Sequence, residues 1–334
     1  MKLYEGRVLH VLVNLGCSGL SVVVFNLLNS FPGVHGVAAL NPCLEEAFFH
    51  HRLKKIPPFH PAVADGSNIH ALMNDYDILH LHWTYPAMLS FDWTSFVDAP
   101  YPIVTTLHTM LVPFRQTSKI NPVAVSRAVK EMQYNSCEVI HNGIDLAPFV
   151  HDRVYEDKPV LKAGFVCRLD GKTYPDSLSK MLKAVSKMSH PVQLVVIGGG
   201  DENLINDYKQ QTLNVNPPVQ FLGWRNDIGE CLKDLDLFIY PTWIDAAPIC
   251  VIEAMASGLP IVAPPVGGLG EMLADGRGLL TSFEWCLDEY MPMFDDAVVR
   301  EYMGQKAKAY AIEHFQLDRM VREYSDLYER VIFQ

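Results

Sequence analysis

The sequence has few of the devices that anchor a chain or staple it together. None of its 334 residues falls in a run of roughly 18 uncharged apolar positions, the length of a membrane span. The nearest approach, Pro248 to Gly268, carries Glu253 and several prolines. The seven cysteines are scattered and form no Cys-x-x-Cys pair, so they read as small buried hydrophobes in a reducing compartment, not as a disulfide framework or zinc site. Basic residues are outnumbered 27 to 38, giving a net charge of -11. That balance argues against bulk binding to nucleic acid, whose affinity comes from neutralised phosphates. The start MKLYEGRVLHVLVNLG lacks a signal-peptide layout and reads as a strand closed by glycine. The expectation is a cytoplasmic protein, at most peripheral to a membrane.

What is present is globular composition, 49% apolar and 19% charged, with length enough for two α/β cores. Arg7 to Leu15, the glycines at Gly16 and Gly19, and Leu20 to Leu28 read as strand, turn and helix. Further strands are expected at Val37–Leu40, Ile78–His82, Ile103–Leu107, Pro122–Val125 and Glu138–His141, with Ser126 capping a helix that runs to Gln133. A polar stretch from Asp152 to Pro159 reads as the linker. The alternation then restarts with strands at Lys162–Cys167, Val192–Ile197, Val219–Leu222, Leu237–Tyr240 and Pro260–Ala263, and helices between them. The domains expected are 1–153 and 154–312, with a last helix, 313–334, crossing back to the first. Parallel strands with helical crossovers place binding crevices at strand C-termini.

The most informative segment runs from Tyr240 to Ala263. A strand ends, a loop carries Asp245, and a helix begins near Pro248 with Glu253 in its first turns. Free N–H groups and the positive dipole end suit a diphosphate there, and a carboxylate suits a ribose diol. Alone, both acids read rather as residues that cap and charge the start of a helix. Arg168 and Lys172 follow another strand end, where two cations can offset charge on a departing diphosphate; a solvated loop pair is the alternative. Gly198-Gly199-Gly200 closes the next strand and is weak evidence by itself.

Taken in order, these pieces resemble retaining glycosyltransferases of family 4, which share the GT-B fold of two Rossmann-like, doubly wound domains facing a cleft. The resemblance runs almost the whole length. It rests on Gly16 to Gly19, Asp77-Ile-Leu-His80-Leu-His82-Trp83, Thr106-Leu-His108, Ala124-Val-Ser126 and Asn142-Gly-Ile-Asp145. It continues through Cys167-Arg168-Leu169, Gly198 to Gly200, Phe221 to Trp224, and the Glu-x7-Glu-type segment from Asp245 to Glu253 and Pro260. It implies transfer of a sugar from a nucleoside-diphosphate sugar to an acceptor hydroxyl, with no metal and no further cofactor. The first domain would take the acceptor and the second the donor. Arg168 and Lys172 would bind the diphosphate, Glu253 the ribose, and Asp245 with Ala246, Ala247, Pro248 and Ile249 the sugar. His108 would approach the sugar, Gly16 would allow close approach of the substrates, Gly199 would belong to the donor site, and Trp224 and Arg225 would lie near the base. Retention would follow a front-face substitution in which a phosphate oxygen helps deprotonate the acceptor. Carbohydrate, lipid-linked, protein and small-molecule acceptors all remain open.

The sequence departs from the family at three places. Asp245 stands where Glu is usual, shorter by one bond of about 1.5 Å. Cys167 replaces a glycine, and a Gly-Gly pair is broken into Gly16-Cys17-Ser18-Gly19. A weak or silent sugar-nucleotide-binding protein, or an epimerase or phosphorylase on the same fold, are the alternatives. A nicotinamide oxidoreductase would need Gly-x-Gly-x-x-Gly after the first strand, which Gly16 to Gly19 does not supply. Asp75-Tyr-Asp77 and Asp234-Leu-Asp236 match a metal-binding Asp-x-Asp pattern but sit at strand entrances, the wrong end of a sheet. His80 and His82 share a strand face without an evident third ligand, so packing or acceptor lining is expected of them. Trp83, Trp93, Trp224 and Trp243 are expected to pack.

Overall fold

An all-parallel sheet needs a crossover between consecutive strands, and short apolar runs alternating with helical stretches supply them. The computed structural model describes residues 2–12, 18–39, 59–60, 67–83, 96, 98–110, 120–133, 137–171, 177–282 and 287–333. It comprises two compact units, Met1–Ile144 with Phe315–Gln334, and Asp145–His314.

Among the described residues the first unit holds strands β1 (Val8–Leu12), β2 (His35–Ala39), β3 (Phe59–His60), β4 (Ile78–Trp83), β5 (Ile103–Leu107), β6 (Ile120–Ala124) and β7 (Glu138–Val139). They form one parallel sheet ordered β3-β2-β1-β4-β5-β6-β7. β1, β2, β4 and β5 are buried at every position, which is why they read as nearly continuous apolar runs. Helices α1 (Gly19–Ser30), α2 (Ser67–Leu72) and α3 (Arg127–Glu131) lie between strands. Ser18 and Ser126 cap α1 and α3, each hydroxyl accepting from the backbone three residues on at 3.3 Å. The order reverses between β1 and β4, so the crevice of this unit opens at their C-terminal ends.

The second unit repeats the plan with β8 (Leu161–Val166), α4 (Ser177–Val185), β9 (Val192–Ile197), α5 (Glu202–Gln211), β10 (Gln220–Gly223), α6 (Ile228–Lys233), β11 (Leu237–Ile239), α7 (Ile249–Ala256), β12 (Ile261–Ala263), α8 (Leu269–Leu273), β13 (Leu279–Leu280), α9 (Leu287–Tyr290) and α10 (Ala297–His314). Its parallel sheet is ordered β10-β9-β8-β11-β12-β13, with the reversal between β8 and β11. The stretch 152–159, expected as a linker, belongs to this unit. Arg153 caps helix ends within it, donating to the carbonyls of Ser257 (2.9 Å), Leu235 (2.5 Å) and Leu232 (2.7 Å).

The chain then returns to the first unit through α11 (Leu317–Ile332). Met320, Val321, Tyr324, Leu327, Tyr328 and Val331 form its buried stripe at helical spacing. Both Asp-x-Asp pairs brace strand entrances. Asp77 accepts from the Arg7 guanidinium at 2.8 Å, and Asp236 pairs with Lys158 at 2.6 Å and accepts from the Lys162 amide at 2.8 Å. No described helix is long and apolar enough to cross a membrane.

Candidate functional site

In the second unit, Cys167 and Arg168 leave β8 on one side of the topological switch, and Tyr240 to Asp245 leave β11 on the other. The glycine triplet after β9 is explained by close packing. Gly198 has φ +143°, and a Cβ there would lie 1.8 Å from the Cys167 carbonyl oxygen. The Leu169 amide donates to Gly199 O at 2.9 Å, and the Gly198 amide to Gly223 O at 2.9 Å. The loops after β8, β9 and β10 are thereby joined as one platform. Gly198, Gly199, Gly200, Phe221, Gly223 and Trp224 line a cavity of about 270 Å³ on it.

Arg168 is paired with Asp170 at 2.8 Å, and Arg225 with Asp227 at 2.5 Å. Lys172 lies outside the described residues. Trp224 and Trp243 are 51% and 54% exposed, contrary to the packing expected of them; Trp83 is buried, and Trp93 is outside the described residues. Trp224 backs onto Gly199, where a Cβ would meet it at 3.4 Å, and Lys180 lies over the Trp243 ring at 4.0 Å.

Asp245 is fixed by its own loop. Tyr240 Oη donates to Oδ2 at 2.6 Å, and the Ala247 amide to Oδ1 at 3.2 Å. From the loop after β12, the Gly268 amide donates to the Asp245 carbonyl at 3.1 Å. Pro248 is the N-cap of α7 and has no side-chain acceptor to offer its first amides. Cys250, in that first turn, reports the surroundings. Burial raises its thiol pKa well above the usual range, the nearby carboxylates of Glu253 and Asp245 add to the rise, and Cys167 and Tyr240 act on it too.

In the first unit, His108 follows β5, and its Nε2 lies 3.3 Å from Nδ1 of His82. His82 Nε2 lies 3.0 Å from His10 Nδ1, and His10 Nε2 lies 2.9 Å from His35 Nδ1. His80 is bound instead to Tyr328 Oη (2.6 Å) and Thr106 Oγ1 (2.7 Å), which Tyr324 Oη also meets at 2.8 Å. One ring nitrogen each of His10, His80 and His82 lie within 4.8 Å of one another, so His10 is the third imidazole beside the pair on β4. Both nitrogens of all three rings already meet side-chain partners, so these are packed, hydrogen-bonded histidines. Desolvation holds all of them neutral, pushing His35 down to about 4 and His108 to about 3. Gly16 lies outside the described residues.

The structure therefore places Asp245 to Ile249 and Glu253 after β11 and Cys167-Arg168 after β8, on the two sides of the switch in the second unit, with Gly199 and Trp224 on the adjoining platform. Sequence reasoning missed Tyr240, Cys250, His10 and His35. A polar ring inside the apolar run Val8-Leu9-His10-Val11-Leu12 was the signal for His10; Tyr240 and Cys250 sit at a strand end and a helix start, where nothing local marks them.

The family described as Glycosyl transferases group 1 matches residues 161–285. N-acetyl-alpha-D-glucosaminyl L-malate synthase of Bacillus anthracis is 23% identical, covering 88% of this chain and 86% of that protein. UDP-Gal:alpha-D-GlcNAc-diphosphoundecaprenol alpha-1,3-galactosyltransferase of Escherichia coli is 26% identical over 57% of this chain and 53% of its own length. The crystal structure of Anabaena HepE in complex with UDP-glucose superposes with a TM-score of 0.79 at 18% identity, covering 98% of this chain and 100% of that one. With two doubly wound units, the chain has the GT-B fold of its structural neighbour, and its second unit matches the group 1 glycosyltransferases across the switch point, a likeness of family 4 type.

Proposed function

We propose that the chain transfers a sugar, with retention, from a uridine diphosphate sugar to an acceptor hydroxyl without a metal ion. The observation that carries this reading is that Asp245, fixed by Tyr240, and Glu253 of α7, whose N-cap Pro248 leaves its first amides without a side-chain acceptor, follow β11 across the topological switch from Arg168. The α7 amides and Arg168, with Lys172, offset the diphosphate charge. Glu253 accepts from the ribose hydroxyls, and the cavity beside Trp224 takes the base, with Arg225 at its edge. Asp245 and the backbone of Ala246 to Ile249 hold the sugar. By the family resemblance, His108, a neutral imidazole here, acts toward the sugar, and Gly16 is the glycine expected at the reacting groups. The bond from the anomeric carbon to the diphosphate breaks as the acceptor oxygen bonds to that carbon on the same face. The acceptor proton passes to a phosphate oxygen of the leaving group.

UDP is chosen because HepE is solved with UDP-glucose and the Escherichia coli relative is named for UDP-Gal. That relative's acceptor is diphosphoundecaprenol-linked, so a lipid-linked sugar is the first acceptor class to try here. The test is calorimetric titration with UDP, GDP, ADP and TDP sugars in metal-free buffer, followed by turnover with the donor that binds. A single uridine hit with transfer supports the reading, and no binding across the panel rejects it. A second reading, donor binding with weak turnover, draws on Asp245, whose two oxygens are both held by its own loop. Tight binding without transfer or hydrolysis would favour it.

A further inference from the structure

We infer that His35, His10, His82 and His108 form one head-to-tail hydrogen-bonded chain sharing a single tautomer, which makes His35 and His10 positioning residues for His108. The sheet register builds this row. Val8 lies opposite His35, His10 opposite His80, and His82 opposite Thr106. Each histidine sits two residues beyond the register partner of the one before it. The row therefore climbs diagonally across β2, β1, β4 and the end of β5 while staying on one face.

The three links all run in the same sense, Nδ1 of one ring to Nε2 of the next, at 2.9, 3.0 and 3.3 Å. A neutral imidazole carries one N–H and one lone pair. A link with two protons or none does not bond. All three links are therefore satisfied only when every ring is protonated on Nδ1 or every ring on Nε2. Burial keeps the rings neutral, so the choice stays binary. His80 braces the row from the side, with its nitrogens on Tyr328 and Thr106.

The far end is left open, because His35 Nε2 is buried with no hydrogen-bond partner. Nothing beyond His35 dictates the setting, so a group added or removed at either end biases the whole row. A hydroxyl that donates to His108 Nδ1 sets protons on Nε2 throughout; one that accepts sets them on Nδ1. The link to catalysis rests on the proposed role of His108 toward the donor sugar, whereas the shared tautomer does not.

The test is nitrogen NMR of the full-length protein labelled with 15N-histidine, at neutral pH and without ligand. Uniform protonation at the same ring position in all four residues, with N–N couplings across the three hydrogen bonds, is expected. A mixed set of tautomers, or no coupling, overturns the inference. In His35→Phe, which retains an aromatic ring against Phe31, the His108 ring nitrogens should shift although His35 is three links away. His35→Asn, whose amide can donate or accept near the Nδ1 position, should restore them. Unmoved His108 signals in His35→Phe would sink the chain. The kcat/KM for donor should fall several-fold in His35→Phe and recover in His35→Asn. Shifted signals with unchanged kcat/KM would leave the chain standing and reject the role of His108 at the sugar.

Discussion

The phenol of Tyr240 donates to Asp245 Oδ2 at 2.6 Å, while the Ala247 amide takes Oδ1 at 3.2 Å. A glutamate at position 245 would carry its carboxylate one methylene further from the backbone than the point where these two donors meet it, so the contacts belong to the shorter side chain. Tyr240→Phe removes a hydrogen bond to a charged group, a contribution of about 1.5–3 kcal/mol. We expect the thermal midpoint to fall by roughly 2–4 °C per kcal/mol lost, and the donor KM to change more than kcat. Unchanged stability and KM in melting and initial-rate measurements would show that Asp245 does not depend on Tyr240.

Glu253→Ala should weaken uridine diphosphate binding by roughly 10- to 100-fold, the equivalent of losing a charge-assisted hydrogen bond to ribose. The check is a cycle in calorimetry. Wild-type protein should discriminate against the 2′-deoxy nucleotide, and the variant should not. Discrimination that survives the substitution would place the ribose elsewhere.

The fold was legible because its signals are local. Strands Ile103–Leu107 and Val192–Ile197 match the expected bounds, and helices Glu202–Gln211 and Ile228–Lys233 fall between strands as expected. Each is a short run rich in β-branched and apolar residues or a stretch of helical periodicity preceded by an aspartate. The edge strands Phe59–His60 and Leu279–Leu280 were not expected, since two residues carry no periodicity. For the site, the position of Asp245 on its loop was readable, but its tie to Tyr240 was not, because that depends on how a loop folds back over a strand end. The histidine row illustrates the same limit. His80 and His82 are visible as an alternating pair, whereas His10, His35 and His108 join them only through the register of three strand pairings.

Transfer should persist in excess chelator. Arg168, Lys172 and the α7 amides are the charges proposed to offset the leaving diphosphate, so removing divalent ions should leave the rate within about twofold, far from the several kcal/mol that a Lewis-acid ion supplies. Loss of activity in EDTA with recovery on adding a divalent ion would overturn the metal-free assignment.

Gly198→Ala and Gly223→Ala separate two uses of glycine. Both positions have positive φ, +143° and +67°, but only at Gly198 would a Cβ collide, 1.8 Å from the Cys167 carbonyl oxygen. Gly223 has nothing within 4 Å of a Cβ. Gly223→Ala should destabilise by roughly 1 kcal/mol from backbone conformation. Gly198→Ala should lose more and should also weaken donor binding, because it pushes the loop carrying Arg168 off the platform. Equal effects in melting and titration would mean that loop packing adds nothing.

The buried histidines should make stability fall in mild acid. Desolvation depresses the folded pKa of all five, to about 4 for His35 and about 3 for His108, while an unfolded histidine titrates near 6.5. The unfolded chain therefore binds protons first as pH drops. Stability from this source is fully present above about pH 6.5 and is lost as pH falls toward the folded values, at about 1.4 kcal/mol per pH unit for each group. Paired carboxylates such as Asp77, also depressed, add their loss only below about pH 4, so the two sources separate on the pH axis. Melting curves between pH 7 and 5 should show a steep fall in the midpoint, and His35→Phe should flatten it by close to one proton. A midpoint that stays level across that range would mean the imidazoles are solvated enough to ionise in place, and the neutral row would have to be abandoned.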